Sequence, residues 1–324
     1  MLDARNRRIL SVVLGLTVSA GTILTLLTLV SPRDLSVAFA AFHPYYLLSF
    51  TLTVILMVAC FGYRWHILLQ GAISTRLAIR AMLINMGGNM VLPLRGGDLL
   101  RIHFSHAEAK APAAVLFGAL LTEKAADLLA ICLIGAVGAA MLGLGNDAHW
   151  GMIAATAGVF LFVLATAVLL RRRNDLVQAL CFWIFRKLRK PEFYRQHVSR
   201  LVASIGENLG LRTFAKIMTI TLFLWLVIYS GSYLCIASLV GVSLSYPEAL
   251  IVLWASGLGL MIPAAPSGLG VYHATVVSVF YILGRPIAEG LVLATALHLS
   301  FFVALVLPMG VLYGKWLFKK VASR

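Results

Sequence analysis

Long apolar runs constrain the fold of this chain more than any other feature. One run extends from Ile9 to Val30, and others fall at about 45–69, 112–143, 150–170, 215–240 and 287–314. About 20 consecutive apolar residues are enough for a helix to cross the hydrocarbon core of a bilayer. The chain of 324 residues is 61% hydrophobic and only 12% charged, which excludes a soluble globular enzyme and a disordered chain. We therefore predict an all-α, polytopic membrane bundle with about six full spans, forming a single integral membrane domain over residues 1–324.

Basic residues outnumber acidic residues and are concentrated in three places. Lys and Arg total 27, against 12 Asp and Glu, and they cluster at the two termini and in the stretch 171–216. The presumed outer loops carry only Arg33 and Arg285. Because cytoplasmic loops of membrane proteins are rich in Lys and Arg, we predict a multi-pass protein of a bacterial inner membrane with both termini cytoplasmic. The expected partners are membrane lipids rather than nucleic acid, with a second copy of the chain or lipid-biosynthesis enzymes as further candidates.

Two segments allow more than one interpretation. Basic residues precede the first apolar run, as in a signal peptide, but the run exceeds the usual length of about 7–15 residues, so we predict a retained helix. The stretch 171–216 has apolar faces flanked by basic residues, which is typical of helices lying on an anionic cytoplasmic leaflet. A soluble helical hairpin is the alternative for that stretch.

Two further apolar segments are too interrupted to be simple spans. Residues 80–106 contain Pro93, Gly96 and Gly97, and residues 248–283 contain Pro263, Pro266, Gly268 and Gly270. Non-helical backbone at membrane depth is tolerated only where it is buried in protein or lines a cavity. We predict two re-entrant or broken helical hairpins in an inverted arrangement, a pattern that indicates a transporter binding site. The alternative is that the glycines only allow close helix packing.

Charged residues accompany the first interruption and the following span. Arg95, Asp98 and Arg101 lie in the first segment, and Glu123 and Asp127 lie four residues apart in the run 112–143. A charge at the bilayer centre costs at least about 2.5–3.5 kcal/mol on insertion scales, which favours a functional role. We predict that the two carboxylates face Arg95 or Arg101 and that the arginines bind phosphate. Alternatively, the carboxylates lie at the membrane interface and only stabilise the helix start.

Histidines offer weaker signals. His103, His106 and Glu108 have the spacing of possible metal ligands, but no third ligand is fixed by the sequence, so we predict interfacial residues and neither metal nor cofactor. His273 and His298 either face the cavity or are packed in the core. The complete predicted substrate-binding set is Asn85, Asn89, Pro93, Arg95, Gly96, Gly97, Asp98, Arg101, Glu123, Lys124, Asp127, Pro266, Gly268, Gly270, His273 and His298.

At these segments the chain resembles the transmembrane region of lysylphosphatidylglycerol synthases, a flippase-like domain. The resemblance extends from about Arg5 to Lys315 and rests on the motif residues Asn85, Pro93, Arg95, Gly97, Asp98, Arg101, Glu123, Asp127, Pro263, Pro266, Gly268 and Gly270. The family usually has Glu where this chain has Asp98, a change that keeps the negative charge. It also usually has Glu where this chain has His273, so a titratable imidazole replaces a carboxylate at a position that bears on proton coupling and head-group preference. Synthase members carry a soluble catalytic domain after this region; since this chain stops at Arg324, aminoacyl transfer is not expected.

The resemblance implies that a lipid head group is moved between leaflets. We predict a non-enzymatic translocator of an anionic phospholipid or lipid-linked head group. The sequence has no nucleotide-binding loop of the Gly-x-x-x-x-Gly-Lys-Ser/Thr type, so transport would be facilitated or ion-coupled. The alternative is a membrane-embedded transferase or accessory subunit in polyprenyl, hopanoid or glycolipid biosynthesis, with Glu123 or Asp98 as base and His273 as acid. A scaffold without a cavity is the third interpretation.

Overall fold

Helices make up the fold throughout the part of the chain that is described. In a computed structural model of the protein, these are residues 45–143, 147–208, 210–260 and 266–322, and they contain no β-strand. The first helices are α1 Tyr45–Leu68, α2 Thr75–Val91, α3 Gly96–Ala109, α4 Ala113–Met141, α5 Asp147–Arg172 and α6 Asn174–Lys187. Helix α7 joins Pro191–Phe193, a π-helical turn Tyr194–Val198 and Ser199–Asn208, and α8 joins Leu211–Phe223, a π-helical turn Leu224–Tyr229 and Ser230–Leu239. The last helices are α9 Tyr246–Gly259, α10 Val271–Ile282 and α11 Ile287–Ala322. The all-α prediction is confirmed.

Four of these helices, α1, α4, α8 and α11, are long and apolar enough to cross a membrane. They coincide with the predicted runs at 45–69, 112–143, 215–240 and 287–314, so a membrane protein with several spans is confirmed. The run from Ile9 to Val30 and the basic residues before it lie outside the described residues. The run 150–170 lies in α5, whose described apolar part is only Thr156–Thr166. The number of six spans therefore stays a prediction.

Small residues bring the helices into close contact. A Cβ atom added at Gly135 of α4 would lie 2.4 Å from Cδ1 of Trp254, which shows how closely α4 and α9 approach. At Gly118 it would lie 2.9 Å from Cβ of Ser204, where α7 packs on α4. Lipid tails are as apolar as leucine, so such close packing, rather than hydrophobic burial alone, holds membrane helices together.

Helices α2 and α3 form the first broken hairpin. Leu92 is extended (φ −95°, ψ 139°), as expected before a proline, and Pro93 begins a 3-10 turn that ends at Arg95. Arg95 adopts the left-handed conformation (φ 56°, ψ 41°), and α3 begins at the next residue. A Cβ atom added at Gly97 would lie 2.1 Å from the carbonyl oxygen of Asn85, so only glycine allows α3 to lie this close to α2. The interruption predicted within residues 80–106 is confirmed, and its glycines also serve close packing.

Helices α9 and α10 flank the second interruption. Residues 261–265, which include the predicted Pro263, lie outside the described residues. The turn Pro266–Gly268 follows, and positive φ angles at Ser267 (57°), Gly268 (67°) and Gly270 (88°) lead into α10. This turn packs against the turn Pro93–Arg95 of the first hairpin. The two interruptions, far apart in sequence, therefore meet inside the bundle.

Polar contacts join each hairpin to a different end of α11. Trp316 Nε1, near the end of α11, donates a hydrogen bond of 2.7 Å to Glu108 of α3. At the start of α11, Arg285 contacts Glu289 at 2.7 Å and Glu248 of α9 at 3.1 Å. These contacts connect the outer ends of the hairpins to the longest helix.

The stretch 171–216 contains the end of α5, helices α6 and α7, and the start of α8. Apolar side chains of α6 are exposed, among them Leu180 (57%) and Trp183 (50%), whereas Val202 and Ser204 of α7 are buried. The cytoplasmic, interfacial position of this stretch stays a prediction.

Candidate functional site

A cavity of about 720 Å³ lies where the two interruptions meet. Its walls come from α1, α2, α4, α8, α9, α10, α11 and both turns. Its charged and polar lining residues are Asn85, Asn89, Arg95, Glu123, Lys124, Asp127, Tyr229, Tyr233, Ser256, Ser267, Tyr272 and His298. Most of the remaining surface is apolar, with Phe61, Met86, Met90, Leu253 and Leu305 among its residues. A concave, largely apolar pocket with a few convergent polar groups is the usual form of a small-molecule site.

A buried ion pair supports one wall of this cavity. Arg101 of α3 donates to both carboxylate oxygens of Glu123 on α4, each at 3.0 Å. Both residues are almost completely buried, with exposures of 0% and 2%. The guanidinium of Arg101 also lies 4.0 Å above the ring of Trp65. The predicted approach of Glu123 to Arg101 is therefore present, and it leaves both terminal nitrogens of that arginine occupied.

A second bidentate pair involves an arginine that the sequence did not single out. Arg64 of α1 donates to the two carboxylate oxygens of Asp127 at 2.7 and 3.1 Å, and to Oγ1 of Thr221 at 2.7 Å. Trp225 Nε1 also donates to Asp127, at 3.2 Å. The prediction that Asp127 faces Arg95 or Arg101 was wrong, because Arg101 is occupied by Glu123 and α1 brings Arg64 to α4. A lone arginine within an apolar span is itself a functional signal.

A third cation completes the network. Lys124 Nζ lies 3.3 Å from Asp98, which also accepts a hydrogen bond of 2.6 Å from the amide of Asn85. The carboxylates Asp98, Glu123 and Asp127 thus face the cations Arg64, Arg101 and Lys124, and the formal charges cancel. Full pairing is what makes such a buried cluster tolerable at low dielectric constant.

Arg95 stands apart from this network. Its side chain is exposed and lines the cavity. Among the described ion pairs, none within 4.0 Å involves Arg95. The network is neutral, so Arg95 leaves this wall of the cavity with one uncompensated positive charge.

Hydroxyl and imidazole groups form a second polar cluster. Ser267 Oγ lies 2.8 Å from His298 Nε2, and the hydroxyl of Tyr233 lies 3.0 Å from that of Tyr272 and 2.9 Å from Ser256 Oγ. The rings of His273 and His298 are 5.4 Å apart. His298 lines the cavity, whereas His273 is buried behind it.

Comparison with known families agrees with the resemblance seen in the motifs. The model of the lysylphosphatidylglycerol synthase TM region matches residues 12–308. The chain belongs to this family. No curated protein and no solved structure matches the chain. Family membership, together with the apolar helices, establishes a multi-pass membrane protein of a lipid-related family.

The predicted site residues fall into two groups in this family member. Those on the cavity surface are Asn85, Asn89, Arg95, Glu123, Lys124, Asp127, Gly268 and His298. The others shape or support the wall: Asp98 and Arg101 belong to the ion-pair network, Gly96 and Gly97 allow close packing, Pro93, Pro266 and Gly270 lie in the interruptions, and His273 lies behind His298.

Sequence reasoning missed Arg64 and the aromatic side of the cavity. Trp225 and Tyr229 lie in the π-helical turn of α8, and Tyr233 follows one turn later. Such π turns are frequent at functional sites, but their position has no clear sequence signal. The spacing of Trp225, Tyr229 and Tyr233, four residues apart in an apolar span, is the pattern that indicates a shared face. Within the described segments, no group of three or more His, Cys, Asp or Glu side chains is placed to hold a metal ion.

Proposed function

We propose that this protein moves lipids with an anionic head group between the two leaflets, through the cavity at the meeting point of the interrupted helices. The observation that carries the proposal is Arg95, a cation on the cavity wall for which the described residues supply no carboxylate partner. A phosphate or carboxylate head group would supply the missing negative charge. Its acyl chains would remain in the bilayer beside the bundle.

The two short helices that start at the interruptions add to this attraction. α3 begins after Arg95 and α10 begins after Gly270, and neither N-cap residue makes a side-chain hydrogen bond to the first turn. The N–H groups and dipole of such a helix start favour an anion. An anionic head group in the cavity would therefore meet a guanidinium and the positive ends of two half-helices.

An inverted arrangement of the hairpins suits this role, and the contacts on α11 support it. Glu289 and Trp316, which hold the second and the first hairpin respectively, are separated by about 40 Å at 1.5 Å per helical residue. That distance matches a bilayer with its head groups. We propose that the hairpins enter from opposite faces, with both termini and the basic stretch 171–216 on the cytoplasmic side of a bacterial inner membrane.

We favour transport over catalysis because the candidate bases are already occupied. Glu123 is held by Arg101, and Asp98 by Asn85 and Lys124. A carboxylate that is held by a cation is a weaker base, because the cation stabilises its ionised form. The proposed partners are membrane lipids, which keep their chemical structure during transport.

The test is translocation of fluorescent phosphatidylglycerol in proteoliposomes, read by dithionite quenching of the outer leaflet. Arg95→Lys keeps the charge, and Arg95→Gly removes it while suiting the left-handed backbone. We expect Arg95→Lys to retain most of the rate and Arg95→Gly to lose about tenfold or more, since a hydrogen bond to a charged group contributes about 1.5–3 kcal/mol. Arg189→Gly is the matched control, because Arg189 is also exposed and left-handed (φ 57°) but lies after α6, away from the cavity.

Equal rates for wild type and Arg95→Gly would remove the proposed site. Lipid analysis of a strain lacking the protein separates transport from enzyme function. We expect an unchanged set of lipids with one species on the wrong leaflet, whereas a missing lipid species would favour a transferase.

A further inference from the structure

Two histidines lie together at the second interruption, where the proposed transport function gives them no role. His273 on α10 is 7% exposed, and its Nδ1 has no hydrogen-bond partner among the described residues. His298 on α11 lines the cavity and contacts Ser267 through Nε2. Their ring centroids are 5.4 Å apart, so a charge on one imidazole is felt directly by the other.

The surroundings of this pair contain no free negative charge in the described part of the structure. The titratable neighbours are Tyr272 on α10, whose ring lies 5.8 Å from His273 and 5.9 Å from His298, and Tyr233 and Tyr229 on α8. The turn that carries Arg95 packs against the turn that carries Ser267, so the nearest interruption contributes a positive charge.

The acidic residues of the same cavity are already paired with other cations. Glu123 is bound by Arg101, and Asp127 by Arg64, each through two hydrogen bonds. Lys124, which also lines the cavity, contacts Asp98. None of these carboxylates is therefore available to balance a charge on the imidazoles.

Two imidazoles this close and this poorly solvated do not both hold a charge, because like charges and burial each oppose protonation. Even one proton is unfavourable without an anion nearby. An anionic head group in the cavity would compensate Arg95 and so lower the electrostatic cost of a proton on the pair. Charge on the pair and charge on the head group should therefore stabilise each other.

We infer that the His273–His298 pair binds one proton together with the anionic head group, and so makes transport proton-coupled. This inference rests on the proposed function and deepens it by naming the coupling ion and its site. The proton comes from water on the side from which the head group enters, occupies a ring nitrogen of the pair, and leaves when the head group leaves. Protonated His298 can donate from Nε2 to Ser267, a contact that is already 2.8 Å long.

Thermodynamic linkage between proton binding and head-group binding can be measured in a binding experiment. If a proton favours the head group, the head group favours the proton by the same factor. The probe is dioctanoylphosphatidylglycerol, whose phosphodiester keeps its charge across the range from about pH 6 to about pH 8. One linked proton changes the dissociation constant by at most about tenfold per pH unit. Between about pH 8 and about pH 6 we expect the affinity for the anionic probe to rise at least about fivefold. Dioctanoylphosphatidylcholine, a zwitterion, should show little change.

Substitution of the pair should remove this dependence. We expect His298→Gln, which can still contact Ser267, and His273→Asn to bind the anionic probe with similar affinity at both pH values. His103→Asn is the control, because His103 is exposed in the middle of α3, is not among the residues that line the cavity, and should keep the wild-type response. Gel filtration and thermal melting identify any variant that fails to fold.

A measurement on the wild-type protein alone keeps the test independent of folding. In weakly buffered solution with a pH indicator, addition of the anionic probe should raise the pH as protons are taken up, by a fraction of one proton per bound lipid. Binding without proton uptake, or equal affinity at both pH values, overturns the coupling inference, and the proposed function still stands if translocation depends on Arg95. Absence of any binding or translocation overturns both.

Discussion

At the scale of single residues, four arginine and lysine side chains determine the charge of the cavity, and they differ in whether a carboxylate pairs with them. Arg64, Arg101 and Lys124 are occupied by carboxylates, so their contribution is to hold the wall together. Arg95 has the same chemistry but no such partner among the described residues, so it can meet a substrate. Basic side chains therefore have a structural role where they are paired, and we propose a binding role for the exposed Arg95.

The central acid of the network is Glu123, and its neutralisation should be costly. Glu123→Gln removes the bidentate partner of Arg101 and leaves it with the longer, 3.8 Å contact to Asp98. It also weakens the 3.7 Å contact to Arg64. Breaking a buried pair on one side costs about 3–5 kcal/mol, so we expect a clear fall in the melting temperature of the detergent-solubilised protein. Glu192→Gln is the control, since Glu192 pairs with Arg195 on the surface (67% and 62% exposed). Similar melting temperatures for both variants would show that the network does not stabilise the fold.

Sequence reasoning predicted that Glu123 faces Arg95 or Arg101, because charges in a spanning helix are costly unless they are paired or hydrated. The structure pairs Glu123 with Arg101. The same reasoning missed Arg64, although a charge within the run 45–69 follows the same physical rule. The partner of Asp127 could not be chosen from the sequence, because spacing along one helix says nothing about which neighbouring helix faces it. Tertiary packing of α1 against α4 makes that choice.

At the scale of elements, the interruptions determine where backbone and charge meet. Pro93 ends the helical path of α2, and Gly97 allows α3 to return against it. These roles could be predicted from residue type. The expectation that the two interruptions form one site agrees with the contact between the two turns. Which residues touch could not be predicted, because about 170 residues separate the turns in the sequence and no local pattern records such a contact.

The packing of the first hairpin predicts the effect of Gly97→Ala. The new Cβ would lie 2.1 Å from the carbonyl oxygen of Asn85 and 2.5 Å from the backbone nitrogen of Asn89, and backbone atoms cannot rotate away. We expect the free energy of unfolding to fall by about 1–3 kcal/mol. We also expect slower translocation, because α3 and Arg95 must shift.

Gly310→Ala is the control for this packing effect, since nothing lies within 4 Å of its added Cβ. It should leave both the melting temperature and the rate near wild type. A Gly97→Ala variant as stable and as active as Gly310→Ala would contradict the close packing of α2 and α3.

For the whole molecule, composition and apolar runs were sufficient to predict an all-α membrane bundle. The motifs were sufficient to predict the family, which residues 12–308 confirm. The cavity itself depends on residues from seven helices and both turns, including the aromatic residues of α8, and this convergence exceeds what any one segment encodes. We therefore propose that assembly creates the site, with an anionic head group bound between the two hairpins where they meet.

The most direct test of that claim locates the head group itself. Proteoliposomes would contain an anionic phospholipid with a photoreactive diazirine in its head group, and mass spectrometry would identify the labelled peptides after irradiation. We predict label on the cavity segments around Asn89, Tyr229 and Ser267, and its loss in Arg95→Gly. Label confined to the ends of the helices, such as 171–190 and 315–322, and unchanged in that variant, would contradict the account.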